Sequence, residues 1–377
     1  MSYPYILVYF LVFADISIYL HISGYFCLSF YFYLSAYFDI IFIFINRKLF
    51  VNTELWANIC RLIEIFISLH GEYEERQNMA QIIAIMNDKG GVAKTTTTAN
   101  LATALWLLGK KVLVVDTDQQ CNLTQMMDKT STLPAEDGMP MTMWEWLHDI
   151  QRVPVYERYP GLDYIPSSRE MANASEYLFQ QNRREYFLSK RLNLIRNEYD
   201  YILIDCIPGG KNLMNTNVLT ASDAVIIPTE ASFFSVQGTP NLMNFINEIR
   251  NDFEKELPVM GYLLIKYDKN TILGKQIKQF YQTPSDTLGG PLFPIQVRRC
   301  QRCNESPGSE QTLFEYAPDS TAADDYMMLA EFMIGRHPRP KKWTPATWGK
   351  KALDAFVAFQ TLRDAQMEDM KKKARSV

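Results

Sequence analysis

The sequence predicts an α/β fold, a parallel β-sheet covered by helices on both faces. Two observations carry that expectation. Five short runs, residues 81–86, 111–116, 200–205, 224–228 and 259–265, are almost continuously apolar rather than alternating. Strands buried on both faces of a parallel sheet read this way, and helical stretches separate them. The first run also leads straight into a loop holding two glycines and two lysines, "NDKGGVAKTTTT" at 87–98.

The elements follow in order. "QIIAIM" (81–86) is a short strand with β-branched content. After the loop, Thr95 to Leu108 reads as a helix, and Gly109 is its C-terminal stop. "KVLVVD" (111–116) is the second strand. Residues 129–161 are irregular and rich in Pro, Met and Trp, which predicts a loop-and-helix insertion. "DYILID" (200–205), "AVIIP" (224–228) and "VMGYLLI" (259–265) complete the strands. "RHPRPKKWTPATWGKK" (336–351) is a basic, Pro-rich linker before a last helix at 350–374. There is no internal repeat.

The 377 residues suffice for one large α/β domain with appendages, and the net charge of −4 excludes a global basic field. Any nucleic-acid contact must be a local patch. Six scattered cysteines do not form a disulfide framework, which fits a reducing cytosol. Cys300 and Cys303 form one CxxC with no second pair and no nearby His, so they read as a plain loop pair.

Three segments differ in composition: 1–78, 79–335 and 336–377. Residues 3–45 are mostly Tyr, Phe, Ile, Leu and Val, with Asp15 and Asp39 as the charged residues and Arg47 and Lys48 just beyond. Read literally, this is a membrane anchor with a basic flank. The reading preferred here is a mis-assigned start. Met79 opens the α/β domain, and "EYEER" (72–76) just upstream can be encoded by a purine-rich ribosome-binding sequence.

The chemistry gathers at strand ends. The loop lies between a strand and a helix, the setting a phosphate loop needs. It fails the pattern G-x-x-x-x-G-K-[ST] twice, at Asp88 and Ala93. Backbone N–H groups of Gly90, Gly91, Val92, Ala93, Lys94 and Thr95 can still cradle phosphate at the positive end of a helix. Lys94 places a point charge on the phosphates, Thr95 offers a hydroxyl to Mg²⁺, and Thr96 reaches the α-phosphate. Asp116, Asp118 and Asp205 end two of the following strands, at the sheet edge where ligands bind. Carboxylates there can hold the magnesium shell and orient a water.

Lys89 to Thr95 satisfies K-G-G-x-x-K-[ST], and the sequence thereby resembles the ParA/MinD-type ATPases with a deviant phosphate loop. "VDTDQQCNLT" and "YILIDCIPG" resemble that family's two acidic segments. Residues 297–332 resemble the C-terminal pattern of its partition (Soj/ParA) branch, with Glu305, Pro307, Tyr316, Pro318, Ser320, Ala323, Tyr326, Leu329 and Ala330 in register. The resemblance implies a phosphate-loop NTPase that binds and hydrolyses ATP with Mg²⁺, slowly and on stimulation by a partner. It implies that Lys89 reaches across an ATP-dependent homodimer to the partner's phosphates. Asp118 positions the attacking water, while Asp116 and Asp205 lie at Mg²⁺. It further implies non-specific DNA binding in the cytoplasm at the nucleoid, a centromere-binding ParB-like partner, and segregation of a plasmid or chromosome. Arg298, Arg299 and Arg302 are the DNA-binding candidates. The rival reading is a membrane-associated switch, MinD-like or tyrosine-kinase-like, with membrane contact only if residues 1–78 are real. Ala93, Gln119 and Ile207 depart from the family pattern and bear on turnover more than on binding.

Overall fold

Successive residues of a strand point to opposite faces, so an unbroken apolar run needs a core on each side. The computed structural model describes residues 79–128, 135–136, 139–283 and 288–336, and within them each run finds both cores. The strands of the larger sheet are β1 (Gln81–Ile85), β2 (Val112–Asp116), β3 (Tyr156–Tyr159), β4 (Leu162–Ile165), β5 (Tyr201–Asp205), β6 (Ala224–Glu230) and β7 (Val259–Ile265). They form one sheet in the order β3-β4-β2-β5-β1-β6-β7. Every neighbouring pair is parallel except β3 with β4. The predicted parallel sheet between helices is therefore borne out.

The helices are α1 (Lys94–Leu107), α2 (Asn122–Met127), α3 (Met143–His148), α4 (Ala174–Phe179), α5 (Phe187–Leu192), α6 (Leu213–Ala221), α7 (Phe233–Asp252), α8 (Ile272–Gln282), α9 (Arg302–Glu305), α10 (Leu313–Tyr316) and α11 (Thr321–Met333). One core joins Ile82, Ala84, Leu113, Ile202 and Ile204 to Val218 of α6 and Leu242 and Ile246 of α7. The other joins Ile83, Ile85, Val112, Val114 and Leu203 to Leu101 and Leu105 of α1 and Tyr326 and Leu329 of α11.

Helix α1 is buried almost all round, so its polar side chains need partners. Thr97 Oγ1 meets Tyr326 Oη at 3.1 Å, and Asn100 Oδ1 accepts from the Leu313 N–H at 2.7 Å. The C-terminal motif thus packs on the loop's own helix. Gly109 follows α1 at φ 87°, the left-handed stop its position demands.

The segment 129–161 corrects the sequence reading in part. It does contain a helix, α3, which Thr142 and Glu145 begin with a capping box. Its end is not irregular, because β3 turns through Pro160 and Gly161 (φ 88°) into β4. This hairpin is pinned from afar. Arg158 Nη2 donates to Glu315 Oε1 at 2.5 Å, both side chains being buried, and Tyr159 Oη donates to the same oxygen at 2.5 Å. The expected anchor or mis-assigned start at 1–78 and the expected linker and helix at 336–377 lie outside the described residues, apart from Arg336.

Candidate nucleotide site

Three strand ends lie side by side. Ile85 pairs with Asp205, and Asp205 pairs with Asp116, across β1, β5 and β2. The loop 86–93 leaves from the first of these ends and enters α1, so loop, helix and two carboxylates meet at the carboxyl edge of the sheet, the ligand edge of such folds.

The loop is tied down by Asn87. Its Nδ2 donates to the Pro228 carbonyl at 2.7 Å, and its Oδ1 accepts from the Lys89 N–H at 3.0 Å. Gly91 sits at φ 75°, and space within 4 Å of a Cβ built on Gly90 or Gly91 is empty, which leaves the loop open to a ligand. Val92 is buried in the second core and anchors the turn. Ala93 stands at φ 56°, ψ 36°, a left-handed conformation that favours glycine. The missing glycine is therefore missing where the backbone wants one. Thr96 lies in the first turn of α1 and is half-buried.

Lys94 Nζ donates to the carbonyls of Asn87 and Lys89, each at 3.1 Å. Burial pushes its ammonium below the ordinary lysine range, and Asp205 pulls it back up. An anion placed in the loop would meet this buried cation. Thr95 Oγ1 donates to Asp205 Oδ2 at 2.6 Å. Asp205 Oδ1 is buried without a hydrogen-bond partner, and burial next to Asp116 holds its carboxyl well above the usual range. A buried, unsatisfied carboxylate oxygen beside a threonine hydroxyl is the donor set that Mg²⁺ takes, with water and phosphate oxygens completing the shell.

The other two acids divide. Asp118 is half-buried and accepts from the Gln120 N–H at 2.9 Å. Asp116, expected at the magnesium, has hydrogen-bond donors on both carboxylate oxygens. Its Oδ2 accepts from Thr124 N–H at 2.8 Å and Thr124 Oγ1 at 2.7 Å, and its Oδ1 accepts from Asp118 N–H at 3.0 Å. Both oxygens serve the turn into α2. Burial raises this carboxyl to about 6 against the hydrogen bonds from Thr124.

Sequence reasoning missed four contacts. The Asp88 carbonyl accepts from Gly209 N–H at 3.0 Å, joining the loop to the segment after β5. Glu230, the last residue of β6, lies 3.8 Å from Lys89 Nζ and also binds Lys266, whose Nζ donates to the Gly91 carbonyl at 3.3 Å. An acid ending an apolar strand, the same signal that marks Asp205, was available for Glu230.

The three arginines are not equivalent. Arg298 is committed to the fold, for its Nε and Nη2 clamp Asp325 at 2.7–3.0 Å and Nη2 also reaches the Thr321 carbonyl. Its side chain is nevertheless 48% exposed. Arg299 is exposed, and Arg302 is exposed beside Glu305 at 3.8 Å. Cys300 and Cys303 are free, half-buried thiols.

Comparison with known proteins agrees with this arrangement. An AAA-domain family model matches residues 80–259. The chromosome partitioning protein ParA of Caulobacter vibrioides is 32% identical over 261 residues, covering 69% of this chain and 96% of that protein. The chain belongs to the ParA/Soj family of partition ATPases. The sporulation initiation inhibitor protein Soj of Bacillus subtilis is likewise 32% identical over 259 residues, 67% of this chain and 98% of its own. Among solved structures, cobyrinic acid a,c-diamide synthase of Mycobacterium smegmatis with bound ADP and magnesium gives a TM-score of 0.56 at 25% identity, over 71% of this chain and all of that one. A putative plasmid partition protein of Borrelia burgdorferi bound to AMPPNP shares the fold, with a TM-score of 0.54 at 24% identity over 68% of this chain and 99% of that one. The ParA/Soj resemblance read from the loop and the C-terminal motif is thus borne out.

Proposed function

We propose that this chain binds ATP with Mg²⁺, hydrolyses it slowly, and uses the cycle to segregate a plasmid or chromosome. The observation that carries the reading is the Thr95–Asp205 pair, with its buried unpartnered carboxylate oxygen, beside the open glycines of the loop. Thr95 and Asp205 would hold Mg²⁺, which supplies charge neutralisation on the phosphate oxygens as they react. The N–H groups of Gly90 to Thr95 and the Lys94 ammonium hold and orient the phosphates. Asp118 orients the attacking water. Lys89, exposed at the loop, supplies positive charge to a second copy's phosphates, a clamp in trans that stabilises the developing charge.

A homodimer is supported by exposed Lys89 and by Phe233 and Phe234, which open α7 at 62% and 72% exposure. Arg299 and Arg302 contact DNA phosphates without reading sequence, which suits a nucleoid-associated cytoplasmic protein that a ParB-like partner stimulates. The membrane-switch alternative rests on residues 1–78. Among the described residues no helix is long and apolar enough to cross a membrane.

The test is DNA binding by the full chain with ATP, with ADP and without nucleotide. Binding is expected with ATP alone, and Lys94→Ala should abolish it. Equal binding with ADP, or none with any nucleotide, overturns the partition reading. Lys89→Ala should bind ATP yet lose hydrolysis; wild-type turnover in that variant rules out the clamp.

A further inference from the structure

Strand β6 ends in Glu230, and β7 ends in Ile265, its register partner, so Lys266 follows directly beside Glu230. Lys266 takes a left-handed backbone at φ 51°, a conformation that costs a lysine energy and is kept where the surroundings demand it. There its Nζ donates to Glu230 Oε1 and to the Gly91 carbonyl of the loop. The other oxygen of the same carboxylate, Oε2, lies 3.8 Å from Lys89 Nζ. One half-buried carboxylate therefore serves two lysines, each about two-fifths exposed (42%).

We propose that Glu230 parks Lys89 in the nucleotide-free chain and that Lys266 sets how firmly it is held. The inference rests on the reading of Lys89 as the charge clamp. Glu230 and Lys266 are positioning residues and touch no phosphate. A carboxylate near a polyphosphate repels it, so Glu230 must stay neutralised when nucleotide draws Lys89 away. Lys266 does this by keeping its own bond to Glu230. With Lys266 sharing the carboxylate, Lys89 leaves easily. Without Lys266, Glu230 has one partner and holds Lys89 harder. The clamp thus stays folded back until phosphates outcompete a single shared carboxylate, which discourages idle dimers in the absence of ATP.

The opposite signs of the two variants separate this from a merely structural role. Zero-length carbodiimide cross-linking of the full chain, read by peptide mass spectrometry, should yield a Lys89–Glu230 link without nucleotide. Lys266→Met should raise its yield roughly two- to five-fold, the range open to an exposed ion pair. ATP should remove that link while the Lys266–Glu230 link persists. In sedimentation, Glu230→Gln should lower the ATP concentration for half-maximal dimer roughly two- to five-fold, and Lys266→Met should raise it by a similar factor. The double variant should match Glu230→Gln alone, because Lys266 acts only through Glu230. Absence of the nucleotide-free Lys89–Glu230 link overturns the proposal. So does a Lys266→Met effect that persists in the Glu230→Gln background. If the wild-type chain binds no ATP, the functional reading fails, and the nucleotide-free links still decide the parking.

Discussion

Replacing Ala93 by glycine isolates the oddest residue of the loop. An L-residue in the left-handed region costs roughly 1–2 kcal/mol, and Ala93 sits there at φ 56°, ψ 36°. Two effects oppose relief of that strain. Glycine gains freedom in the unfolded chain, worth roughly 0.4–1 kcal/mol. The methyl is partly buried against the second core, and losing it costs about 0.4 kcal/mol, half of a fully buried methylene. Ala93→Gly should therefore stabilise the full chain by about 0.5 kcal/mol. Gly91→Ala is the mirror test. Gly91 stands at φ 75° with nothing within 4 Å of an added Cβ, so its loss, roughly 1 kcal/mol, is backbone strain without a clash. Urea denaturation of both variants measures the difference. Destabilisation by Ala93→Gly, or a neutral Gly91→Ala, would refute the assignment of strain to this turn.

Four further outcomes are expected. Glu315→Gln should cost roughly 3 kcal/mol in urea denaturation, because it strands the buried Arg158 guanidinium. Asp116, raised to about 6 by burial, binds its proton more tightly folded than unfolded, so nucleotide-free stability should fall as pH rises from about 4 to 6. Asp116's share of the fall approaches roughly 3 kcal/mol, and Asp116→Asn should remove that share in a series of urea midpoints, leaving the fall that the raised carboxyl of Asp205 contributes. Arg299→Ala and Arg302→Ala should each reduce the salt dependence of DNA binding by about one counterion. Arg298→Ala should instead lower the melting temperature, because it strands buried Asp325.

The loop, five of the six parallel strands and the acids at Asp116, Asp118 and Asp205 were legible because each is local: an apolar run, a glycine pair, an acid at a run's end. The hairpin β3–β4 was not, since Tyr156 to Tyr159 carries Glu157 and Arg158 and lacks an apolar run, although Pro160-Gly161 is a turn signal. Arg158 is tolerated there only because Glu315, 157 positions later, meets it. Asp116 was placed at the metal by its strand end, and its bonds to Thr124, eight residues on, were not legible. Arg298 was chosen for its charge, and its bond to Asp325 of α11 was not legible either. In each miss the deciding partner lies on another element, where spacing along the chain says nothing.

The docking of the C-terminal motif on α1 has a consequence for synthesis. The helix that carries the phosphate loop emerges from the ribosome early, with Thr97 and Asn100 awaiting Tyr326 and Leu313. More than 200 residues separate these partners, the Thr97–Tyr326 pair by 229 positions. Contacts that distant form late and slowly. A nascent chain should therefore hold its first described helix unfinished until its last described helix is out, and nucleotide capture should begin only when translation of the domain is nearly complete. Stalled or truncated products would then be unable to capture nucleotide at all.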